Sequence, residues 1–237
     1  MRSKRHSAPI QLPLWLRLRD DATLGNFYPV GNEMLVDMLQ RLFDTGSESC
    51  LYLWGKKGSG CSHLLQAACH MADSQGKRSV YLPLAELADY PVSVLENLEQ
   101  LDLICIDDIQ AISGTPQWET ALFHLFNRVR DAGKKLVMAG EMPPRQLQLD
   151  LPDLHSRLSW GVVVQVKEMG DEDKLQALQL RARVRGMDLP DDVARFILFR
   201  CPRDMKGMFT VLDRLDDASL TAKRKLTIPF VKTTMNW

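Results

Sequence analysis

Short apolar segments alternate with longer amphipathic segments through the first two thirds of the chain. Five apolar segments have the length and composition of buried strands, at residues 51–54, 80–82, 103–106, 136–139 and 162–166. Residues 118–132 instead carry apolar side chains at helical spacing, namely Trp118, Leu122, Leu125, Phe126 and Val129. Strands that alternate with helices pair in parallel and are covered on both faces. We therefore expect an α/β fold with a five-stranded parallel sheet and helices on both faces.

The pattern changes near residue 169, where strand candidates give way to helices. Residues 174–185, 191–200 and 204–218 are predicted to be helical, with one weak strand candidate at residues 226–228. The expected organisation is a flexible arm at residues 1–26, an α/β domain at 27–168 and a small helical domain at 169–237.

Charge and cysteine content exclude several classes of protein. The 30 basic and 30 acidic side chains cancel, so the chain as a whole has no electrostatic attraction to nucleic acid. The five cysteines form no CxxC pair and are odd in number, which favours a reducing, cytoplasmic environment over a secreted disulfide framework. No apolar run approaches the length that spans a bilayer, so we expect no membrane partner.

A glycine-rich segment at residues 55–62 joins the first predicted strand to a predicted helix. Its spacing matches a phosphate-binding P-loop, in which backbone N–H groups approach a phosphate and a serine hydroxyl binds Mg²⁺. Ser62 supplies that hydroxyl, but Cys61 occupies the position of the lysine that neutralises the β- and γ-phosphates. A plain glycine-rich turn before a helix explains the local sequence about equally well.

Cys61 itself has three interpretations. A metal site with His63, Cys69 and His70 is disfavoured, because about 1.5 Å of rise per residue separates Cys61 from Cys69 by roughly 12 Å on one helix. A helix N-terminus can lower the pKa of a thiol and make it reactive. We favour the third interpretation, an inert small side chain in the place of the lysine.

The third predicted strand ends in two carboxylates, Asp107 and Asp108. The carboxyl ends of parallel strands form the edge at which α/β folds bind ligands. There Asp107 is expected to hold Mg²⁺ and Asp108 to polarise an attacking water. Aspartates that simply form a turn after a strand are commoner. A P-loop followed by an acidic strand, in this order, nevertheless favours nucleotide binding.

Two arginines and one apolar peptide stay ambiguous from their local sequence. Arg157, on a predicted loop, and Arg203, at a predicted helix start after Pro202, have the character of solvated surface charges. Either guanidinium could instead contact phosphates, and one at a subunit edge can act in a neighbouring site. The peptide at residues 11–16 either packs on the domain or docks in a partner's groove.

Five segments, in this order, carry a family resemblance: residues 55–62, 106–110, 139–144, 153–158 and 202–204. They resemble the AAA+ module of bacterial replication initiators of the DnaA type. The amino-terminal peptide is similar to the segment by which bacterial proteins dock on the DNA polymerase sliding clamp, with Gln11, Leu12, Leu14, Trp15 and Leu16. With no helix-turn-helix domain expected after Trp237, the chain resembles the DnaA-related AAA+ regulatory inactivators of the initiator.

The resemblance implies a role for each matching residue. Ser62 and Asp107 would bind Mg²⁺, while Glu141 and Arg203 match the sensor 1 and sensor 2 positions and Arg157 matches an arginine finger. The base of ADP would lie near Phe27, Tyr28 and Val30, and its phosphates would lie against Gly58, Ser59, Gly60, Cys61, Ser62 and His63. Cys61 and Glu141 depart from the lysine and aspartate of the initiators, so weak or absent intrinsic hydrolysis is expected.

The resemblance also implies a function, in which the chain stimulates ATP hydrolysis by DnaA through Arg157 and so prevents re-initiation. Its partners would be DnaA and the sliding clamp, with DNA reached only through the clamp. Self-association is compatible with an AAA+ module. Two other classes stay open: an autonomous ATPase of the clamp-loader or helicase-loader type, and a nucleotide-free scaffold that bridges partners.

Overall fold

A computed structural model describes residues 18–201, 205–222 and 225–237. Its sheet has five strands: β1 (Cys50–Trp54), β2 (Ser79–Pro83), β3 (Leu103–Asp107), β4 (Lys135–Gly140) and β5 (Val162–Gln165). The strand order is β2-β3-β4-β1-β5, and every pairing is parallel. The predicted parallel α/β fold is confirmed, and each predicted strand end lies within one residue of the observed end.

The helices fall into two groups along the described residues. Those that flank the sheet are α1 (Glu33–Gln40), α2 (Cys61–Ser74), α3 (Leu84–Leu87), α4 (Pro116–Asp131) and α5 (Pro152–Leu158). Those that form the carboxyl-terminal helical domain, here called the lid, are α6 (Asp171–Val184), α7 (Asp191–Arg200), α8 (Met205–Ala222) and α9 (Ile228–Met235). Short 3-10 turns occur at Leu24–Asn26, Val92–Leu95, Leu98–Gln100, Ile109–Ile112 and Pro144–Gln146. Within this described part of the chain, none of the helices has both the length and the apolar character needed to cross a membrane.

The sheet is buried on both faces because side chains alternate in direction along each strand. On β1, Tyr52 packs with α4 on one face, while Leu51 and Leu53 pack with α1 and α2 on the other. The predicted apolar stripe of α4 is completely buried and forms most of the α4 contribution to the first face. The sheet therefore lies between two apolar cores, and polar side chains occur where its strands end.

The lid has an apolar core of its own, in which Leu178, Ile197 and Leu212 are fully buried. The weak strand predicted at residues 226–228 is wrong, because a helix, α9, begins there. The Thr227 hydroxyl accepts a hydrogen bond from the Phe230 N–H at 3.4 Å, and a proline follows in the first turn. Both features favour a helix start over a strand.

Arg157 lies in the last turn of α5, whereas the sequence predicts a loop at this position. Pro152 opens the helix and Asp153 lies in its first turn, a combination suited to a helix N-terminus. Leu154 and Leu158 are four residues apart and both fully buried, so one face of this short helix is anchored in the core.

Residues 18–27, here called the amino-terminal strap, pack along α2. The backbone carbonyl oxygens of Arg19 and Thr23 lie 2.9 and 2.8 Å from the Nε2 atoms of His70 and His63. Ala22 of the strap is fully buried. These contacts hold the strap against α2, while residues 1–17 lie outside the described part of the chain, so the flexible arm at residues 1–26 stays a prediction.

A buried arginine fastens the strap to the lid. Arg181 of α6 is only 1% exposed, forms an ion pair with the Asp21 carboxylate and donates from Nη1 to the Asp21 carbonyl oxygen at 3.0 Å. Its guanidinium carbon lies 4.7 Å from the centre of the Phe209 ring of α8. Burial and the nearby Arg185 lower the pKa of Arg181 to about 10, so the group stays charged at neutral pH.

We expect Asp21→Asn to reduce the free energy of unfolding by about 3 kcal/mol, because it leaves the buried Arg181 charge without its counter-charge. Asp20→Asn is the matched control, since it removes the same charge from an exposed neighbour. Urea denaturation of both variants, followed by circular dichroism, measures the difference. Equal stability of the two variants would contradict a structural role for the ion pair.

Candidate functional site

The loop between β1 and α2 adopts a backbone that requires glycine at two positions. Gly58 and Gly60 have φ angles of 90° and 103°, in the left-handed region that residues with a side chain rarely adopt. A Cβ atom on Gly60 would also lie 2.9 Å from Cε2 of Phe27. Helix α2 begins directly after Gly60, so the free N–H groups of its first turn adjoin the loop. The segment therefore has the backbone form of a phosphate-binding loop.

The loop forms one wall of a cavity of about 480 Å³, a volume typical of small-molecule sites. Residues 55–63 line it from the loop and from α2, while Asp107, Asp108 and Glu141 line it from the ends of β3 and β4. The structure thus brings the predicted P-loop, acidic pair and sensor 1 residue together at the carboxyl edge of the sheet.

Several residues that the sequence did not single out for this site also line the cavity. They are Arg19 from the strap, Ala85 and Gln110 from the α/β domain, and Met205 and Phe209 from α8 of the lid. Lys56 and Lys57 also line the cavity, from within the predicted P-loop. The strap and lid residues lack a local signal, because they lie far along the chain from the residues that they face.

Asp107 is the most enclosed acid of the cavity, with 3% of its surface exposed. Its Oδ2 accepts a hydrogen bond from the Tyr81 hydroxyl at 2.7 Å, and its Oδ1 accepts one from the Asp108 N–H at 3.0 Å. Burial raises the pKa of Asp107, and hydrogen bonds from Ser62 and Tyr81 oppose that rise by stabilising the carboxylate. The carboxylate is therefore held in one orientation by three neighbours.

Ser62 and Asp107 have the chemistry of magnesium ligands. Both present oxygen atoms, the donors that Mg²⁺ prefers, and both side chains line the cavity. A divalent cation would also offset the burial of Asp107 next to Asp108. By contrast, no group of three His, Cys, Asp or Glu side chains suited to a metal occurs among residues 18–201, 205–222 and 225–237.

Gln110 connects the acidic end of β3 to the segment after β4. Its Nε2 donates to Oδ1 of Asp108 at 3.1 Å, and its Oε1 accepts from the Glu141 N–H at 3.1 Å. Asp108 has a left-handed backbone, with φ of 57°, which turns the chain into Ile109–Ile112. The bridge holds Asp108 and Glu141 side by side, a role that the sequence could not assign to Gln110 because Glu141 is 31 residues away.

Cys61 contributes a protonated thiol to the cavity wall. Burial is the main cause that raises its pKa to about 11, and the neighbouring Asp107 adds to it. The Sγ atom lies 3.4 Å from Oγ of Ser59, which is itself buried. A reactive thiolate is therefore disfavoured, and the structure supports the interpretation of Cys61 as an inert side chain.

The three residues expected near a base, Phe27, Tyr28 and Val30, do not line the cavity. Phe27 is 8% exposed and lies against Gly60, with its ring centre 5.8 Å from that of His63. Tyr28 packs against the lid core, and Val30 is 44% exposed. His63 does line the cavity, but burial lowers its pKa, so it is neutral at pH 7. Contact of these side chains with a base stays a prediction.

Arg157 lies away from the cavity of its own chain. It is half-buried, and its guanidinium carbon is 5.9 Å from the centre of the Phe123 ring of α4. Arg203 and the peptide residues Gln11, Leu12, Leu14, Trp15 and Leu16 lie outside the described part of the chain. Their predicted roles stay predictions.

Solved structures with this fold include replication proteins. Domain III of the Thermotoga maritima initiation protein DnaA is 20% identical, with 93% of this chain and 98% of that chain covered and a TM-score of 0.75. AMPPCP-bound DnaA from Aquifex aeolicus is 23% identical, with 83% and 65% covered and a TM-score of 0.69. The Thermotoga maritima RuvB branch migration motor is 14% identical, with 88% and 67% covered and a TM-score of 0.60. These identities are low enough that they establish the fold alone.

Two family models match the sequence in succession. The model of the bacterial DnaA ATPase domain matches residues 29–165, which is more than half of the chain. The model of the Hda lid domain matches residues 171–235, the region of α6 to α9. The chain therefore belongs to the family of the bacterial DnaA ATPase domain, with an Hda-type lid, among the AAA+ proteins of replication initiation.

Proposed function

We propose that this protein regulates replication initiation by stimulating ATP hydrolysis in the initiator DnaA, so that origins do not fire again. In this proposal it holds an ADP-like nucleotide with Mg²⁺, docks on the sliding clamp through residues 11–16 and presents Arg157 to the ATP site of DnaA. The proposal rests on the observation that the cavity of this chain lacks both cationic groups of phosphoryl transfer. Cys61 occupies the position of the P-loop lysine, and Arg157 lies outside the cavity.

Nucleotide binding is supported by the chemistry of the cavity. The positive φ angles of Gly58 and Gly60 let the backbone approach a phosphate, and the N-terminus of α2 favours negative charge there. Lys57 adds a cation to the wall, and Ser62 and Asp107 would hold the Mg²⁺, which supplies positive charge between phosphate oxygens. The Aquifex DnaA that shares this fold is a nucleotide-analogue complex.

The residues that line the cavity are suited to holding a diphosphate but not to hydrolysing a triphosphate rapidly. Transfer of a γ-phosphate requires charge neutralisation that a P-loop lysine normally provides. Cys61 is uncharged, because its thiol has a pKa of about 11. Asp108 and Glu141 add negative charge to the cavity edge rather than removing it. We therefore assign the nucleotide a role in holding the geometry, with hydrolysis in the partner.

An arginine finger is supported by the position of Arg157. The short helix α5 is anchored by buried leucines, and the Arg157 guanidinium rests over the Phe123 ring, so its direction is restricted. A planar guanidinium is suited to phosphate oxygens, and it stabilises charge that develops during phosphoryl transfer.

Clamp docking rests on the sequence of residues 11–16 and on their connection to the strap. A tethered regulator has a raised effective concentration near its partner, which would confine stimulation to the cytoplasmic DNA on which the clamp is loaded. DNA would then be contacted only through the clamp.

We expect Arg157→Ala to abolish stimulation of DnaA ATP turnover in the presence of DNA-loaded clamp. A trans arginine contributes on the order of 10³ to 10⁵ in rate, so its loss returns turnover to the basal level. Arg183→Ala, at an exposed position on α6, is the matched control and retains stimulation. Undiminished stimulation by Arg157→Ala would exclude the finger role.

Deletion of residues 11–16 is expected to abolish capture of the chain by immobilised clamp, because the apolar docking side chains are lost together. Deletion of residues 2–7 removes an equal length of the amino terminus and is expected to leave capture unchanged. Surface plasmon resonance measures both. Clamp binding by the first deletion variant at wild-type affinity would refute the docking peptide.

Cys61→Lys is expected to tighten ADP binding by about tenfold, since a charge-assisted hydrogen bond to phosphate contributes about 1.5 kcal/mol or more. Stimulation of DnaA should be unchanged, because hydrolysis takes place in the partner. Cys61→Ala separates loss of the thiol from gain of charge. If only the lysine variant stimulates DnaA, the proposed division of roles is wrong; phosphate release by the unaltered chain alone would favour an autonomous ATPase.

A further inference from the structure

Tyr81 links β2 to the acidic residue at the end of β3. It pairs with Cys105 across the two parallel strands, two residues before the carboxyl end of β3. Its side chain reaches towards that end, where the hydroxyl donates to Oδ2 of Asp107 at 2.7 Å. A carboxylate oxygen can only accept, so the Tyr81 hydroxyl is the donor in this contact.

Gln66 extends this contact to the amino-terminal strap. It is only 7% exposed, on a face of α2 that otherwise carries apolar side chains such as Leu65 and Cys69. Its Oε1 accepts a hydrogen bond from the Arg19 N–H at 2.9 Å, and its side chain is a neighbour of the Tyr81 hydroxyl. A buried amide with partners on both sides belongs to a specific network rather than to general packing.

The network ends on the group that faces the cavity. Asp107 receives the Tyr81 hydroxyl on one oxygen and the Asp108 N–H on the other, with Ser62 as a further partner. Two of these partners, the Tyr81 hydroxyl and the Asp108 backbone N–H, fix its orientation without being ligands of Mg²⁺ themselves. Outer partners of this kind commonly change metal affinity by 10- to 100-fold when they are removed.

We propose that Tyr81 and Gln66 are positioning residues that hold Asp107 in the orientation that binds nucleotide-associated Mg²⁺. This inference rests on the proposed binding of nucleotide and Mg²⁺, and it adds two residues that do not line the cavity. The hydrogen bond from the Arg19 N–H to Gln66 joins the strap to the same network. The strap follows residues 11–16 in the sequence.

The test compares ADP affinity with Mg²⁺ and with EDTA, by isothermal titration calorimetry. Tyr81→Phe is expected to weaken binding in Mg²⁺ by about tenfold or more and to leave binding in EDTA unchanged. Gln66→Met should change the Mg²⁺-dependent part in the same direction by a smaller factor, because it acts through Tyr81. It also provides a second variant where Tyr81→Phe folds poorly.

Ser79→Ala is the matched control. Its hydroxyl also reaches from β2 to α2, where it donates to the Cys69 carbonyl oxygen at 3.4 Å, but it has no bond to Asp107. Its ratio of affinities in Mg²⁺ and EDTA should equal that of the unaltered chain. An unchanged ratio in both Tyr81→Phe and Gln66→Met would overturn the positioning role while leaving the proposed function intact. Absence of ADP binding by the unaltered chain would overturn both.

Discussion

The position of β1 inside the sheet, between β4 and β5, is the constraint on which the site depends. It is hydrogen-bonded to β4 on one side and to β5 on the other, with Leu53 opposite Ala139 and Val164. Its side chains are buried on both faces, so a slip of one residue would exchange the two apolar cores. Because all pairings are parallel, the segments after β1, β3 and β4 leave the sheet at one edge. The loop glycines, Asp107 and Glu141 meet for that reason.

The cavity at this edge combines a phosphate-binding backbone with three acidic side chains close to it, Asp107, Asp108 and Glu141. Backbone N–H groups and Lys57 attract negative charge, whereas Asp107 and Asp108 require a cation to balance them. The uncharged Cys61 leaves the usual lysine position without a contribution. The phosphates of a bound nucleotide would contact the N–H groups of the loop, and the accompanying Mg²⁺ would balance the charge of Asp107 and Asp108. This balance supports the proposed separation of nucleotide retention in this chain from hydrolysis in its partner.

The strap gives the cavity a second layer of support. Asp21 fixes it to the buried Arg181 of the lid, and the Arg19 N–H fixes it to Gln66 of α2, the helix that follows the P-loop. Polar contacts therefore join the lid and the α/β domain to the strap, whose Arg19 lines the cavity. Such contacts are costly to break one at a time, because each broken bond leaves a buried polar group without a partner.

The order of strands and helices, the glycine loop and the acidic end of β3 could be predicted, because each is encoded in adjacent residues through periodicity and spacing. The helix around Arg157 could not, since seven residues give too short a pattern and its anchoring leucines depend on the core that they meet. The hydrogen bonds from Gln110 to Asp108 and Glu141 could not be predicted either, because Glu141 is 31 residues away in the sequence. The sequence by itself determined the fold class and the chemistry of the loop. Only the tertiary structure decided what surrounds them, because partners 160 residues apart, such as Asp21 and Arg181, leave no local signal.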